Sequence, residues 1–237
     1  MDNYLFDIPA FRWSPYAPIV VLAIILGFIS AALLMRRFGV ARQTIFYTSF
    51  LTFICTLMLS VSATVRFTPE GVRAGFSGLA AGVAMMIGIL ISSLIFRDKP
   101  LLVLASYVPA APLMYGLSKT GCFLAGCCHG KAYEGHFAVS YHNSYAGTYF
   151  PIQLVDMAVF ILIHILALVL VLKMKNKVLA IFIVIFVTLP ARFVLEYFRY
   201  THNGELISHD QMIVLIAAAI AFALLIAYKI ALKPKAA

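Results

Sequence analysis

The segment PARFVLEYFRYTHNGE places Arg192, Glu196 and Arg199 at i, i+4 and i+7, so on a helix the three side chains share one face. A glutamate between two arginines can hold both guanidinium planes. An arginine held in that way offers a bidentate fork to a phosphate. The alternative is a salt bridge that only ties helices together, with Arg199 snorkelling towards headgroups. Upstream, Pro151-Ile-Gln153-Leu-Val-Asp156 sets an amide and a carboxylate one turn apart at a helix start. Proline fits a first turn, and an aspartate there also suits the helix dipole. His164 lies close to the same face and reads as a core histidine bonded to a neighbour. The run Ser208-His-Asp-Gln211 reads as an N-cap.

A second group lies upstream of both. Residues 119–151, KTGCFLAGCCHGKAYEGHFAVSYHNSYAGTYFP, form the one long connection in the chain. Long connections inside compact folds are functional or disordered, and this one is too aromatic for disorder. Gly121, Gly126 and Gly130 bracket the apolar stretch Cys122–Cys128, which is expected to form a re-entrant half-helix. The end of such a half-helix points N–H groups at an anion. Residues His136–Tyr141 alternate weakly, as a small strand does. His129 can serve as a base near neutral pH or be an interfacial histidine bonded to a carbonyl. Cys122, Cys127 and Cys128 have three readings. They could form a disulfide, Cys122–Cys127 or Cys122–Cys128, in an oxidising compartment. They could bind zinc, which a C-x4-C-C-H spacing does not favour. They could be packed free thiols. The sequence assigns no metal and no cofactor, and Cys55 reads as packing inside an apolar stretch.

Composition says what must position these residues. The 237 residues are 63% hydrophobic and 11% charged, against about 45–50% and about 25% in soluble domains. A soluble chain of this size cannot hide that much apolar surface. A disordered chain, a soluble enzyme and a nucleic-acid reader are excluded, although the net charge is +9. The apolar runs are too long for a β-barrel. Seven stretches reach span length: 17–35, 44–65, 74–96, 101–118, 152–172, 178–198 and 211–232. The expected fold class is therefore all-α, a single integral membrane domain over 1–237 with seven transmembrane helices. Pro109 and Pro112 predict a kink or break in the fourth span. Gly78-x-x-x-Gly82 in the third is a small-residue pattern that lets helices approach closely. The start, MDNYLFDIPAF, is acidic, and no A-x-A site follows the first span, so no cleavable signal peptide is expected.

Orientation follows from the basic residues. Arg36, Arg37, Arg42, Arg97, Lys99, Lys173, Lys175, Lys177, Lys229, Lys233 and Lys235 fall on one side, eleven of the 18, with Asp98 the one acid among them. The positive-inside rule makes that side cytoplasmic. The N-terminus is then outside and the C-terminus inside. Lys119, Lys131, Arg192, Arg199, Glu196, Gln153 and His129 gather on the outer side. Basic groups, a histidine and amides at the outer leaflet suit a phospholipid headgroup, with the phosphate held by Arg and Lys and the tails between helices.

Four blocks, GCFLAGCCHGK, FPIQLVD, ARFVLEYFR and SHDQ, also occur in the order and at the separations of the prolipoprotein diacylglyceryl transferase family, which the chain resembles over roughly residues 115–215. The resemblance implies seven spans with the same orientation, in a bacterial cytoplasmic (inner) membrane, and a site facing outside. It also implies transfer of diacylglyceryl from phosphatidylglycerol to a cysteine thiol of a preprolipoprotein, with release of glycerol phosphate. By resemblance, Arg192 matches an arginine needed for activity, with Glu196 and Arg199 in its block. Gln153 matches the glutamine of a Pro-x-Gln-Leu segment, and Gly130 a signature glycine. Lys119 stands where an arginine is expected, Cys122 where many members carry Asn, and Cys127 where they carry Glu. The GFSGLAAG stretch resembles the family's His-Gly-Gly segment with Phe76 in the histidine's place. His129 is then the substitute base, with Arg192 and Lys119 as its catalytic partners. Arg199, Lys131, Gln153, Glu196 and Gly130 are the headgroup-binding set. The expected partners are a phospholipid donor, a protein or small-molecule thiol acceptor and the membrane, with no nucleic acid. A paralogue with a non-lipoprotein acceptor and a non-catalytic lipid-binding protein are the competing readings, and a transporter is the weakest because no internal repeat is evident.

Overall fold

The computed structural model describes residues 4–10, 14–69, 71–73, 78–142, 145–202 and 204–231. Apolar helices dominate: α1 (Tyr16–Arg37), α2 (Arg42–Ser62), α3 (Gly78–Phe96), α4 (Pro100–Leu124), α5 (Ile152–Lys173), α6 (Lys177–Glu196) and α7 (His209–Ala231). Six of them, all but α3, are long and apolar enough to cross a membrane. The part of α3 that qualifies as apolar helix, Ala80–Phe96, is shorter. At about 1.5 Å per residue it rises about 25 Å, against about 30 Å of hydrocarbon. The seven expected spans are thus six by length. Their outer faces suit lipid: on α7, Met212, Leu215, Ile216, Ile220, Phe222 and Leu224 are all exposed. In water such a face would drive aggregation.

Contacts divide the chain into two units, Ile24–Ala111 and Met1–Ala23 with Pro112–Ala237. In the first, α2 turns a stripe of five residues spaced four apart, Thr44, Thr48, Thr52, Thr56 and Ser60, inwards. Thr56 Oγ1 donates to the Thr52 carbonyl at 2.7 Å, and on α3 Ser92 Oγ donates to the Gly88 carbonyl at 2.7 Å. Hydroxyls bonded back to their own helix, as at Thr56 and Ser92, and the short side chains between them leave a small, smooth face on which two backbones can close. The closest approach is at Gly88, where a Cβ would lie 2.7 Å from Thr52 Cα. Among the described residues, a Cβ at Gly78 or Gly82 would meet nothing within 4 Å. The expected Gly78-x-x-x-Gly82 contact is therefore corrected to Gly88, because the threonine stripe and not the glycine spacing decides where the helices touch. The basic turns of this unit are clipped together. Asp98 accepts the Ala41 N–H at 2.8 Å, and Lys99 Nζ donates to the Gly39 carbonyl at 2.6 Å. A short hairpin, β2 (Arg66–Thr68) with β3 (Gly71–Arg73), follows α2. Phe76 lies outside the described residues.

The other unit adds a small sheet. Strand β1 (Tyr4–Ile8) pairs in parallel with β4 (Ala138–Tyr141), which pairs antiparallel with β5 (Tyr145–Tyr149). Strand β4 falls inside the weakly alternating segment His136–Tyr141. Ile8, Phe123, Val139 and Tyr141 form a buried cluster that seats this sheet on the end of α4. Helix α4 runs unbroken past Pro109 and Pro112 and continues to Leu124. A break in hydrocarbon would strand several backbone groups, a larger loss than the two missing N–H groups. Cys122–Cys128 is therefore not a re-entrant half-helix. Cys122–Leu124 complete α4, and Gly126, at φ +68°, ends it. The Gly126 N–H bonds to the Phe123 carbonyl at 3.2 Å and the Cys127 N–H to the Cys122 carbonyl at 3.0 Å. That is the paired closure of a glycine-terminated helix. Between α5 and α6, Lys177 Nζ caps the Val171 and Met174 carbonyls, each at 2.7 Å.

The α2–α3 contact gives a direct test. Gly88→Leu should lower stability by about 1–3 kcal/mol, the usual cost of overpacking. Gly82→Leu should leave it nearly unchanged. Thermal unfolding of the two variants in detergent checks the difference.

Candidate functional site

Asp156 is fully buried in the first turns of α5. A carboxylate there must be paired, because hydrocarbon and packed protein solvate it poorly. Two cations supply the pairing. Arg199 Nη2 bonds to Asp156 Oδ2, and Lys119 Nζ lies 3.8 Å from the same oxygen. Asp156 Oδ1 has no hydrogen-bond partner among the described residues. Helix α4 brings two residues of one face to this point, since Tyr115 and Lys119 are one turn apart. The Tyr115 hydroxyl accepts from Arg199 Nη2 at 3.1 Å, and Lys119 Nζ sits 4.6 Å above the Tyr115 ring.

Glu196 extends the network. Its Oε2 bonds to Arg192 Nη1 and lies 3.1 Å from Arg199 Nε, an ion pair whose angle is too poor for a hydrogen bond. Arg192 also donates through Nη2 to Asp210 Oδ2 at 3.0 Å. Asp210 opens α7, and its side chain is 54% exposed. Among the three clustered cations the Arg192 side chain is the most open, at 18% against 8% for Lys119 and 8% for Arg199. Gln211 fixes the entry to α7. Its Oε1 accepts the Ser208 N–H at 2.9 Å, while its own N–H bonds to Ser208 Oγ at 3.3 Å, a reciprocal cap.

Backbone bonds tie the loop after α4 to the end of α6. Gly130 bridges to Arg199, the Lys131 N–H bonds to the Phe198 carbonyl at 3.1 Å, and the Tyr200 N–H bonds to the His129 carbonyl at 3.2 Å. Gly130 has no room for a side chain, since a Cβ would lie 2.5 Å from the Phe150 carbonyl oxygen. On the other side, Gln153 is buried, donates to the Cys127 carbonyl at 2.9 Å and accepts from the Tyr141 hydroxyl at 3.4 Å. Burial pushes the Tyr141 phenol up to about 12.

His129 is buried, with its ring 4.2 Å from Tyr149 and 5.1 Å from Tyr200. Its Nδ1 lies 2.9 Å from the Gly130 carbonyl oxygen. In the tautomer that donates this bond, Nε2 is the basic nitrogen. The Lys131 side chain is exposed, although its backbone is held. The sulfurs of Cys122, Cys127 and Cys128 lie within 4.8 Å of one another as free thiols. Hydrogen bonds from Cys122 and Cys127 pull the ionisation of Cys128 below the ordinary thiol range, and the same cluster pushes Cys127 up.

A family model described as prolipoprotein diacylglyceryl transferase matches residues 3–227, nearly the whole chain. The chain belongs to the prolipoprotein diacylglyceryl transferase family. No curated relative matches it. The prolipoprotein diacylglyceryl transferase match and six membrane-length helices make it a membrane protein of a transferase family. The match also reaches upstream of residue 115, where the sequence resemblance started.

The structure brings Lys119, Arg192, Glu196 and Arg199 into one network and places Gln153 beneath the loop. It leaves Lys131 at the surface. Sequence reasoning missed Tyr115 and the central place of Asp156. Tyr115 was legible in its one-turn spacing from Lys119, whereas the pairing of Asp156 with Arg199, 43 residues away, has no local signal. Removing Asp156 leaves two buried cations facing each other. Asp156→Ala should cost about 3–5 kcal/mol, and Lys131→Ala should stay within about 0.5 kcal/mol. Chemical unfolding in detergent micelles measures both.

Proposed function

We propose that the chain transfers diacylglyceryl from a phospholipid, phosphatidylglycerol, to a cysteine thiol, and that the ion cluster binds the donor's phosphate. The observation that carries this reading is the charge of the cluster. Lys119, Arg192 and Arg199 face two buried carboxylates, Asp156 and Glu196. The third carboxylate, Asp210, is half-exposed. A phosphodiester can take the place of Asp210 on Arg192 and meet a bidentate fork. In the reaction, the acceptor sulfur attacks the glycerol carbon that carries the phosphate ester. The C–S bond forms, the C–O bond breaks, and glycerol phosphate leaves with the electron pair. Arg192 and Lys119 offset the growing charge on the leaving phosphate. His129, through Nε2, takes the thiol proton. Arg199, Gln153, Glu196 and Gly130 hold the surrounding geometry, and Lys131 lies at the rim.

The orientation belongs to the same proposal. Strand β1 precedes α1, yet pairs with β4, which follows α4. The two strands are on one side of the membrane, so the chain crosses an even number of times between them. That parity supports α3 as a short seventh span, with the N-terminus and the site outside the cytoplasmic membrane and the C-terminus inside. A reporter active only in the cytoplasm should work when fused after Ala237 and fail when fused before Met1. Activity at both ends would overturn the seventh span.

A second reading, a lipid-binding protein without catalysis, has one observation in its favour: Arg192 already holds two carboxylates. One assay separates the two. Purified protein with phosphatidylglycerol and a lipobox peptide should give diacylglyceryl-peptide and glycerol phosphate by mass spectrometry. Arg192→Lys should lower the rate at least about tenfold, a loss of about 1.4 kcal/mol of transition-state stabilisation, while Lys131→Ala should change it little. Lipid consumed without peptide product points to another acceptor. Lipid bound but never turned over supports the second reading.

A further inference from the structure

The proposed reaction leaves one cluster unused. Cys122 on the last turn of α4, and Cys127 and Cys128 just beyond it, hold their three sulfurs within 4.8 Å of one another. The sequence spacing C-x4-C-C leaves this convergence open beside a reading as separately packed thiols. It arises because Gly126 closes the helix and Cys128 also takes a left-handed conformation, at φ +56°. That is an uncommon backbone state for a residue with a side chain. Two successive reversals fold Cys127 and Cys128 back over Cys122.

We propose that Cys122, Cys127 and Cys128 form a three-sulfur binding site for a soft d10 cation, Cu(I). Three sulfurs around one metal at bonds of about 2.3 Å stand about 4 Å apart, so the cluster needs only slight contraction. Among the described residues the group comprises these three ligands and no histidine or carboxylate. Structural zinc takes four ligands. Thiolates select soft ions, and Cu(I) accepts three-coordination. Burial is graded as an entry path requires, with Cys122 buried, Cys127 intermediate and Cys128 exposed. Binding exchanges three thiol protons for one Cu(I) and leaves a doubly negative tris-thiolate. Lys119 and Arg199 act electrostatically on Cys128 and offset that charge. Loading would clamp the loop that holds the Cys127 carbonyl against Gln153.

The test uses the full chain, purified in detergent, reduced and stripped of metal without oxygen. Cu(I) is titrated in competition with a chromogenic Cu(I) chelator. One equivalent per chain should be withdrawn from the chelator, with a sulfur-to-copper charge-transfer band in the ultraviolet. Cys128→Ser should weaken retention at least about 100-fold. Because Cys128 is exposed, this variant tests ligation apart from folding, and gel filtration checks that it stays monodisperse. Cys55→Ser should have no effect. The proposal is overturned if the reduced protein retains no Cu(I), if Zn(II) is held more tightly than Cu(I), or if Cys128→Ser retains Cu(I) as the parent does. A Cys122–Cys127 or Cys122–Cys128 disulfide in the protein as isolated, with no copper uptake after reduction, also overturns it.

Discussion

One buried carboxylate constrains the rest. Asp156 cannot stay ionised inside a membrane protein unless cations are brought to it. Lys119 and Arg199 reach it from α4 and from the turn after α6. Three separate elements therefore meet at a single oxygen atom. Once Arg199 is fixed there, Glu196 is fixed beside it, and Glu196 sets Arg192. The position of Arg192 then determines which part of α7 can approach, because Asp210 and the capped start of that helix answer to it. An ion network of this kind is a poor source of net stability. Its contribution is to permit one arrangement of the helix ends and to penalise the others.

The loop after α4 is held to that network by backbone and not by charge. Gly130 lies against both the Phe150 and Phe198 backbones, so Arg199 is flanked by a short two-stranded contact that a side chain at residue 130 would force apart. Gln153 performs the matching task on the other side, reaching from α5 to the Cys127 carbonyl. Gln153 thereby serves two ends, satisfying its own amide and pinning a segment without regular structure.

Much of this was legible in the sequence, and the gaps have physical causes. Helices α1, α2, α5, α6 and α7 follow from long apolar runs, since length and hydropathy are local properties. Helical period alone puts Arg192 and Glu196 on one face, but α6 ends at Glu196, so the expected helical place of Arg199 is corrected to the turn beyond, where it bridges to Gly130. Strand pairing between β1 and β4 joins residues more than 100 positions apart and leaves only weak alternation to read. The end of α4 was misread because a glycine-flanked apolar stretch suits both a half-helix and the last turn of a long helix. The decisive signal, a glycine two residues after the last helical one, was present in Gly126 but points to a terminus only once the helix is known to have come that far.

The place of the proposed chemistry can be narrowed by asking which cation has bonding capacity left. Arg199 is committed to Asp156, Tyr115 and the side of Glu196. Lys119 is a compact charge over an aromatic ring, without the planar fork that fits two phosphate oxygens. Arg192 is the most open of the three, and one of its partners sits at the exposed start of α7. A ligand anion that replaces Asp210 loses no buried pairing, whereas one that replaces Asp156 must break the constraint on which the helix ends depend. The cluster therefore divides by function: Asp156, Arg199 and Lys119 form the fixed base, and Arg192 is the arm that can change partners.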